Sequence, residues 1–285
     1  MKILVSGRHG QLAQSLAERG GGDILLIGRP ELDLAIPGSA RTAIVAARPD
    51  LVINTAAFTA VDRAETEEAL ARRINADGTG EVAAAARELG VPVIHISTDY
   101  VFDGRATEPY AETAATGPIN AYGRTKLAGE EAVRAANPDH LILRTSWLVS
   151  PFGKNFVRTM VDLGQQRDSL SVVADQFGNP TSALDLADAI LLVARRWAAG
   201  ERTGMGATYH LAGSGVASWF DLAVAVQEEA GTAAKITAIS TADWPTPAAR
   251  PAYSALDSTN FTRDFGHAMP DWRAALGPIV ARLTA

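Results

Sequence analysis

Short apolar segments alternate with alanine-rich amphipathic segments through the first half of the chain. The apolar segments predict strands at residues 2–6, 23–27, 51–54, 92–97 and 140–144. The amphipathic segments between them predict helices at residues 11–19, 39–48, 67–89 and 122–137. Because the predicted strands are apolar on both faces, the pattern indicates a parallel sheet that is covered by helices on both sides.

This alternation is typical of an α/β protein with a Rossmann-type, doubly wound parallel sheet joined by right-handed crossovers. It weakens after about residue 150, and residues 242–253 are rich in proline and predict a loop. We therefore predict a dinucleotide-binding domain at residues 1–150, to which part of 178–215 returns. Residues 151–285 are predicted to form mainly a smaller C-terminal substrate-binding lobe.

The composition is that of an ordinary globular protein, with 47% hydrophobic and 20% charged residues. The net charge of −6 argues against nucleic acid as a partner but allows a small anionic ligand in one pocket. The chain has no cysteine, which excludes disulfides, thiolate zinc sites and cysteine nucleophiles. No apolar run has the length of a signal peptide or a membrane span, so we expect a cytoplasmic protein that does not bind membranes.

A glycine-containing turn follows the first predicted strand, with the sequence GRHGQLA at residues 7–13. Gly7 suits a tight strand-to-helix turn, and Gly10 lets the backbone approach a diphosphate at the helix N-terminus, which attracts anions. The spacing G-x-x-G-x-x-A departs from the G-x-G-x-x-G pattern, and plain turn glycines are the alternative. In its strand–turn–helix context the segment predicts dinucleotide binding.

The residue after the second predicted strand discriminates between the two nicotinamide coenzymes. An acidic residue there binds the ribose hydroxyls of NAD, whereas an arginine favours the 2′-phosphate of NADP. Arg29 occupies this position and favours NADPH, with NADH as the alternative coenzyme and a solvated surface arginine as the alternative role. Asp33 and Leu34 lie a little further on, where they would border the adenine.

Tyr122 and Lys126 are four residues apart on a predicted helix, so their side chains share one face about 6 Å apart along the axis. A free tyrosine has a pKa of about 10, and a nearby ammonium lowers it by stabilising the phenolate. Thr98 follows the fourth predicted strand, at the sheet edge where ligands bind. Its hydroxyl can bond a carbonyl oxygen alongside Tyr122, so the three side chains are candidate catalytic residues. A half-buried tyrosine beside a surface lysine is the alternative.

Several segments together resemble the dTDP-4-dehydrorhamnose reductases, a family of the extended short-chain dehydrogenase/reductase superfamily. They extend to about residue 257, and each alone is a weak signal. The segments, besides the glycine turn, are NTAAFTAVDRAE at 54–65, STDYVFDG at 97–104, YGRTKLAGE at 122–130, RTSW at 144–147, DQFGNPT at 175–181 and RPAYSALD at 250–257.

The resemblance implies reduction of the 4-keto group of dTDP-4-dehydro-L-rhamnose by NADPH or NADH, the last step of dTDP-L-rhamnose synthesis. Tyr122 would protonate the developing alkoxide, Lys126 would lower the pKa of Tyr122 and hold the nicotinamide ribose, and Thr98 would orient and polarise the carbonyl. The implied coenzyme contacts are Gly7, Gly10, Gln11, Leu12, Asp33, Leu34, Ala56, Ala57 and Thr59. The further candidate contacts to the sugar nucleotide are Asp99, Tyr100, Trp147, Asn155, Gln176 and Arg250.

Two other functions stay open. One is another nucleotide-sugar reductase or an epimerase, which uses the same tyrosine and lysine. A 4,6-dehydratase is disfavoured, because Tyr100 replaces the glutamate that these enzymes need for their chemistry. The other is a non-catalytic NADP-binding regulatory subunit that resembles the β subunit of methionine adenosyltransferase, although the joint presence of Thr98, Tyr122 and Lys126 favours catalysis.

Metal ions and tight self-association are not expected from the sequence. No cluster of histidine and acidic residues has metal-ligand spacing. Leu184 stands where some rhamnose reductases carry a magnesium-binding glutamate at a dimer contact. The sequence therefore argues against magnesium and favours a monomer or a weak homodimer.

Overall fold

The chain forms a six-stranded parallel sheet with helices on both faces, and several smaller sheets follow it; the structure is a computed structural model that describes residues 1–285. In chain order the elements are β1 (Ile3–Ser6), α1 (Gln11–Gly20), β2 (Ile24–Ile27), α2 (Ser39–Ala47), β3 (Leu51–Asn54), α3 (Val61–Thr66), α4 (Glu68–Arg72), α5 (Thr79–Glu88), β4 (Val93–Thr98), α6 (Ala121–Ala136), β5 (His140–Thr145), β6 (Leu148–Val149), α7 (Phe156–Gly164), β7 (Ser169–Val173), β8 (Phe177–Gly178), β9 (Thr181–Ser182), α8 (Ala183–Ala198), β10 (Ala207–His210), β11 (Ala217–Ser218), α9 (Trp219–Ala230), β12 (Lys235–Ile239), α10 (Thr259–Phe265) and α11 (Trp272–Thr284).

The order of the strands in the main sheet is β10-β5-β4-β3-β1-β2, and all neighbours are parallel. The chain moves outward from β1 to β2 and then crosses to β3 on the other side of β1. Ligands of such sheets bind beyond the carboxyl ends of the strands where this order reverses. The predicted Rossmann-type doubly wound sheet is therefore confirmed, and it directs attention to the loops after β1, β3, β4 and β5.

Each central strand contributes side chains to two apolar layers. On β1, Ile3 and Val5 pack with α1 and α8, whereas Leu4 packs on the other face with Ile44 of α2 and Val82 of α5. All five side chains are 1% exposed or less. This burial on both faces explains why the sequences of the strands are continuous apolar runs. It also holds the ends of the strands beside each other.

The prediction of a single helix at residues 67–89 is wrong, because the segment is divided into α4, a π-helical turn at Arg73–Gly78 and α5. Asn75 lies in that turn, and its side chain accepts a hydrogen bond from the backbone of Phe58 at 2.7 Å. The same amide donates to Thr125 of α6 at 3.0 Å. The π-helical turn thus fixes the loop after β3 to the helix that carries Tyr122, as such irregular turns often do at functional sites.

The second half of the chain contributes to both parts of the molecule. Strand β10 pairs with β5 and completes the main sheet, and α8 packs against α1. Helices α7, α9 and α11 enclose a separate apolar cluster together with β7, and β7 pairs in parallel with β12. No helix has the combination of length and apolar composition that crossing a membrane requires.

Candidate active site

Two neighbouring cavities open at the carboxyl edge of the main sheet. The first has a volume of about 380 Å³, and the second has a volume of about 680 Å³. Of the predicted site residues, those that line the first cavity are Gly10, Gln11, Leu12, Ala57, Thr59, Thr98, Asp99, Tyr122, Lys126 and Trp147. Those that line the second cavity are Tyr100, Gln176 and Arg250.

The glycine turn after β1 presents free backbone N–H groups to the first cavity. Gly7 has a φ of +98°, which an L-residue adopts only under strain, and its N–H donates to the carbonyl of Ile27 at 2.7 Å. Helix α1 begins at Gln11 without a side-chain cap, and a Cβ on Gly10 would meet no atom within 4 Å. The uncapped N–H groups and the open space at Gly10 fit the diphosphate of a dinucleotide.

Tyr122 lies at the first turn of α6, next to Thr98 at the end of β4. Asn120 caps the helix, because its side chain accepts a hydrogen bond from the backbone N–H of Gly123 at 2.8 Å. A Cβ on Gly123 would be 2.1 Å from the carbonyl oxygen of Tyr100, so only glycine permits this approach of α6 to the β4 loop. The approach brings the rings of Tyr100 and Tyr122 to 5.8 Å in an edge-to-face arrangement.

The phenol of Tyr122 is protonated in this environment. Burial raises its pKa to about 12, against the opposing effect of the Thr98 hydroxyl and with a further increase from the Asp99 carboxylate. The lysine Nζ donates to the carbonyl of Ile96 at 2.7 Å, and the role of Lys126 in lowering the pKa of Tyr122 stays a prediction. Burial also lowers the pKa of Lys126 to about 8.

Asp99 is a buried carboxyl group beside the proposed reacting atoms. Its Oδ1 accepts a hydrogen bond from the hydroxyl of Thr98 at 2.9 Å, while its Oδ2 has no partner. Burial raises its pKa to about 6, although the neighbouring hydroxyls of Ser254 and Thr98 favour the ionised form. Asp99 therefore restrains the Thr98 hydroxyl at the wall of the first cavity.

Trp147 forms an apolar wall of the first cavity. It follows β5 with a φ of +44°, a left-handed conformation that is strained for a tryptophan. Its indole stacks on Trp219 with ring centroids 3.5 Å apart and an interplanar angle of 5°. The stacking partner comes from α9, so the two lobes meet at this wall.

Hydrogen bonds within the protein hold the polar residues of the second cavity. The Arg250 guanidinium donates to Asp62 at 2.9 Å, and the side-chain amide of Gln176 donates to Thr241 at 3.0 Å. Arg250 is largely buried, with 17% of its side chain exposed. The cavity is therefore a preformed, partly apolar site with two arginines, Arg167 and Arg250, on its wall, and Asp62 orients Arg250.

The remaining predicted residues line neither cavity. Asn155 caps α7, and its amide nitrogen donates to the carbonyl of Ser150, so the local backbone uses both of its polar groups. Leu34 is buried in the core, and Asp33 accepts a hydrogen bond from the backbone of Ala35. Arg29 is exposed. Gly7 and Ala56 lie in the turns just behind the first cavity, so backbone contacts at these positions stay a prediction.

Several residues near the site were not identified from the sequence. Lys154 and His9 line the first cavity, and the glycine-lysine loop at 153–154 was an available signal for an anion contact. Arg8 packs against Gly28 and pairs with Glu31 at 3.0 Å, close to Arg29. No group of three or more histidine, cysteine or acidic side chains is arranged to hold a metal ion.

The doubly wound sheet, the uncapped glycine turn and the Thr98, Tyr122 and Lys126 cluster define a member of the extended short-chain dehydrogenase/reductase class. A family model described as the RmlD substrate binding domain matches residues 1–285. The chain belongs to the dTDP-4-dehydrorhamnose reductase family, as its segments indicated.

Individual relatives cover almost the whole chain. The chain is 46% identical to the dTDP-4-dehydrorhamnose reductase of Sinorhizobium fredii over 286 residues, which span 98% of this chain and 97% of that protein. A crystal structure of a dTDP-4-dehydrorhamnose reductase from Clostridium acetobutylicum has a TM-score of 0.94 and 38% identity, with full coverage of both chains. The Bacillus anthracis reductase in complex with NADP has a TM-score of 0.91 and 37% identity, and 99% of each chain is covered.

Proposed function

We propose that the protein reduces the 4-keto group of dTDP-4-dehydro-L-rhamnose with NADPH and forms dTDP-L-rhamnose. The observation that carries this proposal is the meeting of Thr98, Tyr122 and Lys126 in one cavity with the uncapped N-terminus of α1. The Sinorhizobium fredii relative is named for this reductase, and the Bacillus anthracis relative is described in complex with NADP.

The first cavity is proposed to hold the coenzyme. Gly10, Gln11 and Leu12 would bind the diphosphate through backbone N–H groups, while Ala57 and Thr59 would line the opposite wall. Lys126 would donate to the nicotinamide ribose hydroxyls. When bound, NADPH supplies the hydride that reduces the C4 carbonyl.

Tyr122 is proposed as the general acid. Its pKa of about 12 keeps the phenol protonated at neutral pH, so it can donate its proton to the C4 oxygen as negative charge develops there. The Thr98 hydroxyl would donate to the same oxygen and orient it. Because Asp99 holds that hydroxyl at 2.9 Å in the free protein, the substrate oxygen must compete with this carboxylate.

The sugar nucleotide is proposed to extend from Tyr122 into the second cavity. Arg250 supplies a cation for a phosphate, and Gln176 and Tyr100 supply polar groups. Trp147 would pack against the deoxy sugar. In this arrangement residues 1–150, with part of 178–215, bind the coenzyme, and the remainder of 151–285 mainly binds the substrate. A monomer or a weak homodimer in the cytoplasm is the corresponding expected form.

The direct test is a reduction assay with purified protein, NADPH and enzymatically prepared dTDP-4-dehydro-L-rhamnose in the absence of magnesium. We expect loss of the nicotinamide absorbance in step with the appearance of dTDP-L-rhamnose. If neither NADPH nor NADH is oxidised, even with added magnesium, another keto sugar or a regulatory binding role replaces this proposal.

Coenzyme preference tests whether Arg29 contacts the 2′-phosphate. Arg29→Ala is expected to lower the ratio of kcat/KM for NADPH to that for NADH by about tenfold or more, since a hydrogen bond to a charged group contributes about 1.5–3 kcal/mol. Arg8→Ala provides the comparison, because Arg8 lies beside the same turn. Arg41→Ala, an exposed arginine of α2, is the control. A shift in Arg8→Ala alone would transfer the phosphate contact to Arg8.

A further inference from the structure

His95 lies at the centre of β4 and is completely buried. Its Nδ1 is 3.2 Å from Nδ2 of Asn54, and its Nε2 is 3.3 Å from Nζ of Lys126. A neutral imidazole carries one donor and one acceptor, so the hydrogen bond at one ring nitrogen decides what the other nitrogen offers. The protonation state of Lys126 therefore depends on which group is hydrogen-bonded to Nδ1, on the opposite side of the imidazole ring.

A buried chain of hydrogen bonds fixes the tautomer of His95. The hydroxyl oxygen of Ser6 accepts from the backbone N–H groups of Thr55 and Ala56, both at 3.1 Å. The single proton of that hydroxyl must therefore go to Oδ1 of Asn54. Asn54 consequently presents its amino group to His95, so Nδ1 accepts and Nε2 carries the proton.

The protonated Nε2 is unfavourable for a lysine ammonium. An ammonium has only donors, so it would face another N–H group, whereas a neutral amine has a lone pair that can accept this hydrogen bond. The lysine Nζ keeps a donor bond to the carbonyl of Ile96 at 2.7 Å in either state. The geometry therefore favours the neutral amine of Lys126 in the free protein.

No carboxylate stabilises a charge on Lys126 by direct contact. Glu130 lies one turn further along α6, but its two oxygens accept bonds from Arg144 at 2.8 Å each, and also from Ser97 and Arg134. The other titratable and charged groups on α6 and the elements packed against it are Tyr122, Arg124 and Glu131 on α6, His95, Asp99 and Tyr100 on and after β4, His140 and Arg144 on β5, Asp62, Arg63 and Glu65 on α3, Glu68 and Arg72 on α4, Arg73 and Asp77 on the π-helical turn, and Glu81, Arg87 and Glu88 on α5.

We propose that His95 is a positioning residue that favours the neutral amine of Lys126 in the free protein, so that at alkaline pH coenzyme binding takes up as much as one proton from solvent. This inference rests on the proposed function, because it requires Lys126 to face the coenzyme. When the amine of Lys126 gains a proton, it can no longer accept the hydrogen bond from Nε2–H of His95. The resulting ammonium donates instead to the ribose hydroxyls, whose oxygens supply the acceptors that the imidazole lacks. Burial acts in the same direction, since it lowers the pKa of Lys126 and that of His95.

The test is calorimetry of coenzyme binding to the substrate-free protein in buffers of different ionisation enthalpy, which counts protons taken up. We expect uptake to rise from near zero at pH 7 to most of one proton at pH 9, equally for NADPH and NADH. Above the midpoint pH of proton uptake, the dissociation constant of each coenzyme should increase by up to tenfold per pH unit. The use of NADH excludes titration of the 2′-phosphate as the source.

His95→Gln tests the role of the imidazole. The glutamine carbonyl can accept from an ammonium, so the midpoint of proton uptake should move upward by about one pH unit. His140→Gln is the matched control, because His140 is a buried histidine on β5 that bonds only to the carbonyl of Asn137. It should leave the uptake curve unchanged.

Three results would overturn the inference. If both coenzymes bind at pH 9 without proton uptake, the inference is overturned but the proposed reductase function is not. An unchanged curve in folded His95→Gln would remove the imidazole from the effect. If that variant does not fold, nitrogen NMR of the wild-type protein can show which ring nitrogen of His95 carries the proton. A proton on Nδ1 would overturn the inference. Failure of both coenzymes to bind is a separate outcome, because it would overturn the proposed function on which the inference rests.

Discussion

Tyr122→Phe is expected to lower kcat for reduction of the keto sugar by about 10²- to 10⁴-fold, the usual contribution of a general acid. The change removes only the phenolic oxygen, so the proton for the C4 oxygen must then come from water. The ring remains in its edge-to-face contact with Tyr100, and the free energy of unfolding should change little. The dissociation constant of NADPH should stay within a few-fold of the wild-type value.

Tyr209→Phe is a suitable control for this substitution. Its hydroxyl donates to Asp264 at 2.7 Å, and its ring packs against Phe261, far from both cavities. Steady-state kinetics and fluorescence titration with NADPH would separate chemistry from binding in both variants. Turnover of Tyr122→Phe within a few-fold of wild type would mean that another group donates the proton.

Arg144→Met is expected to lower the free energy of unfolding by about 3–5 kcal/mol, because it leaves a buried carboxylate without its main partner. Glu130 is completely buried and Arg144 is 4% exposed, and two hydrogen bonds of 2.8 Å join them. The guanidinium also lies 5.2 Å from the centre of the Phe102 ring. Methionine keeps much of the volume but supplies no donor, and urea unfolding measures the loss.

Arg124→Met is the matched control on the same helix as Glu130. Arg124 pairs with Glu68 at 2.9 Å, but both side chains are almost half exposed. Such surface pairs contribute about 0–1 kcal/mol, so this variant should remain close to wild type. Equal losses in the two variants would show that burial does not set the strength of the Glu130–Arg144 pair.

The pH dependence of this stability follows from the pKa of Glu130. Burial alone would raise that pKa, but the hydrogen bonds and charge of Arg144 hold it below its ordinary value. The stabilising contribution is therefore present above the unfolded pKa and is lost as the pH falls through the folded one. The difference in unfolding free energy between wild type and Arg144→Met should accordingly shrink in acid.

The local pattern of residues was enough to predict the strands of the main sheet up to residue 144 and the candidate residues of the site. The strands from residue 2 to 144 were predicted to within one residue at each end, because two-sided burial makes each one a continuous apolar run. The glycine turn at residues 7–13 and the spacing of Tyr122 and Lys126 were visible because strand-to-helix turns and helical faces depend on neighbours in sequence. Thr98 was identifiable as a candidate because it lies at the carboxyl end of a parallel strand, where ligands of such sheets bind.

Other features depend on contacts between segments that are distant in the sequence, and these became visible only in the folded protein. The pairing of β7 with β12 joins residues 169–173 to 235–239, and Asn75 in the π-helical turn bridges Phe58 and Thr125. Neither contact can be predicted from a local sequence pattern. The ionisation of the site was decided in the same way. Desolvation raises the pKa of Tyr122, and the imidazole of His95 faces Lys126, because burial and the hydrogen-bond partners of a charge exist only once the chain has folded.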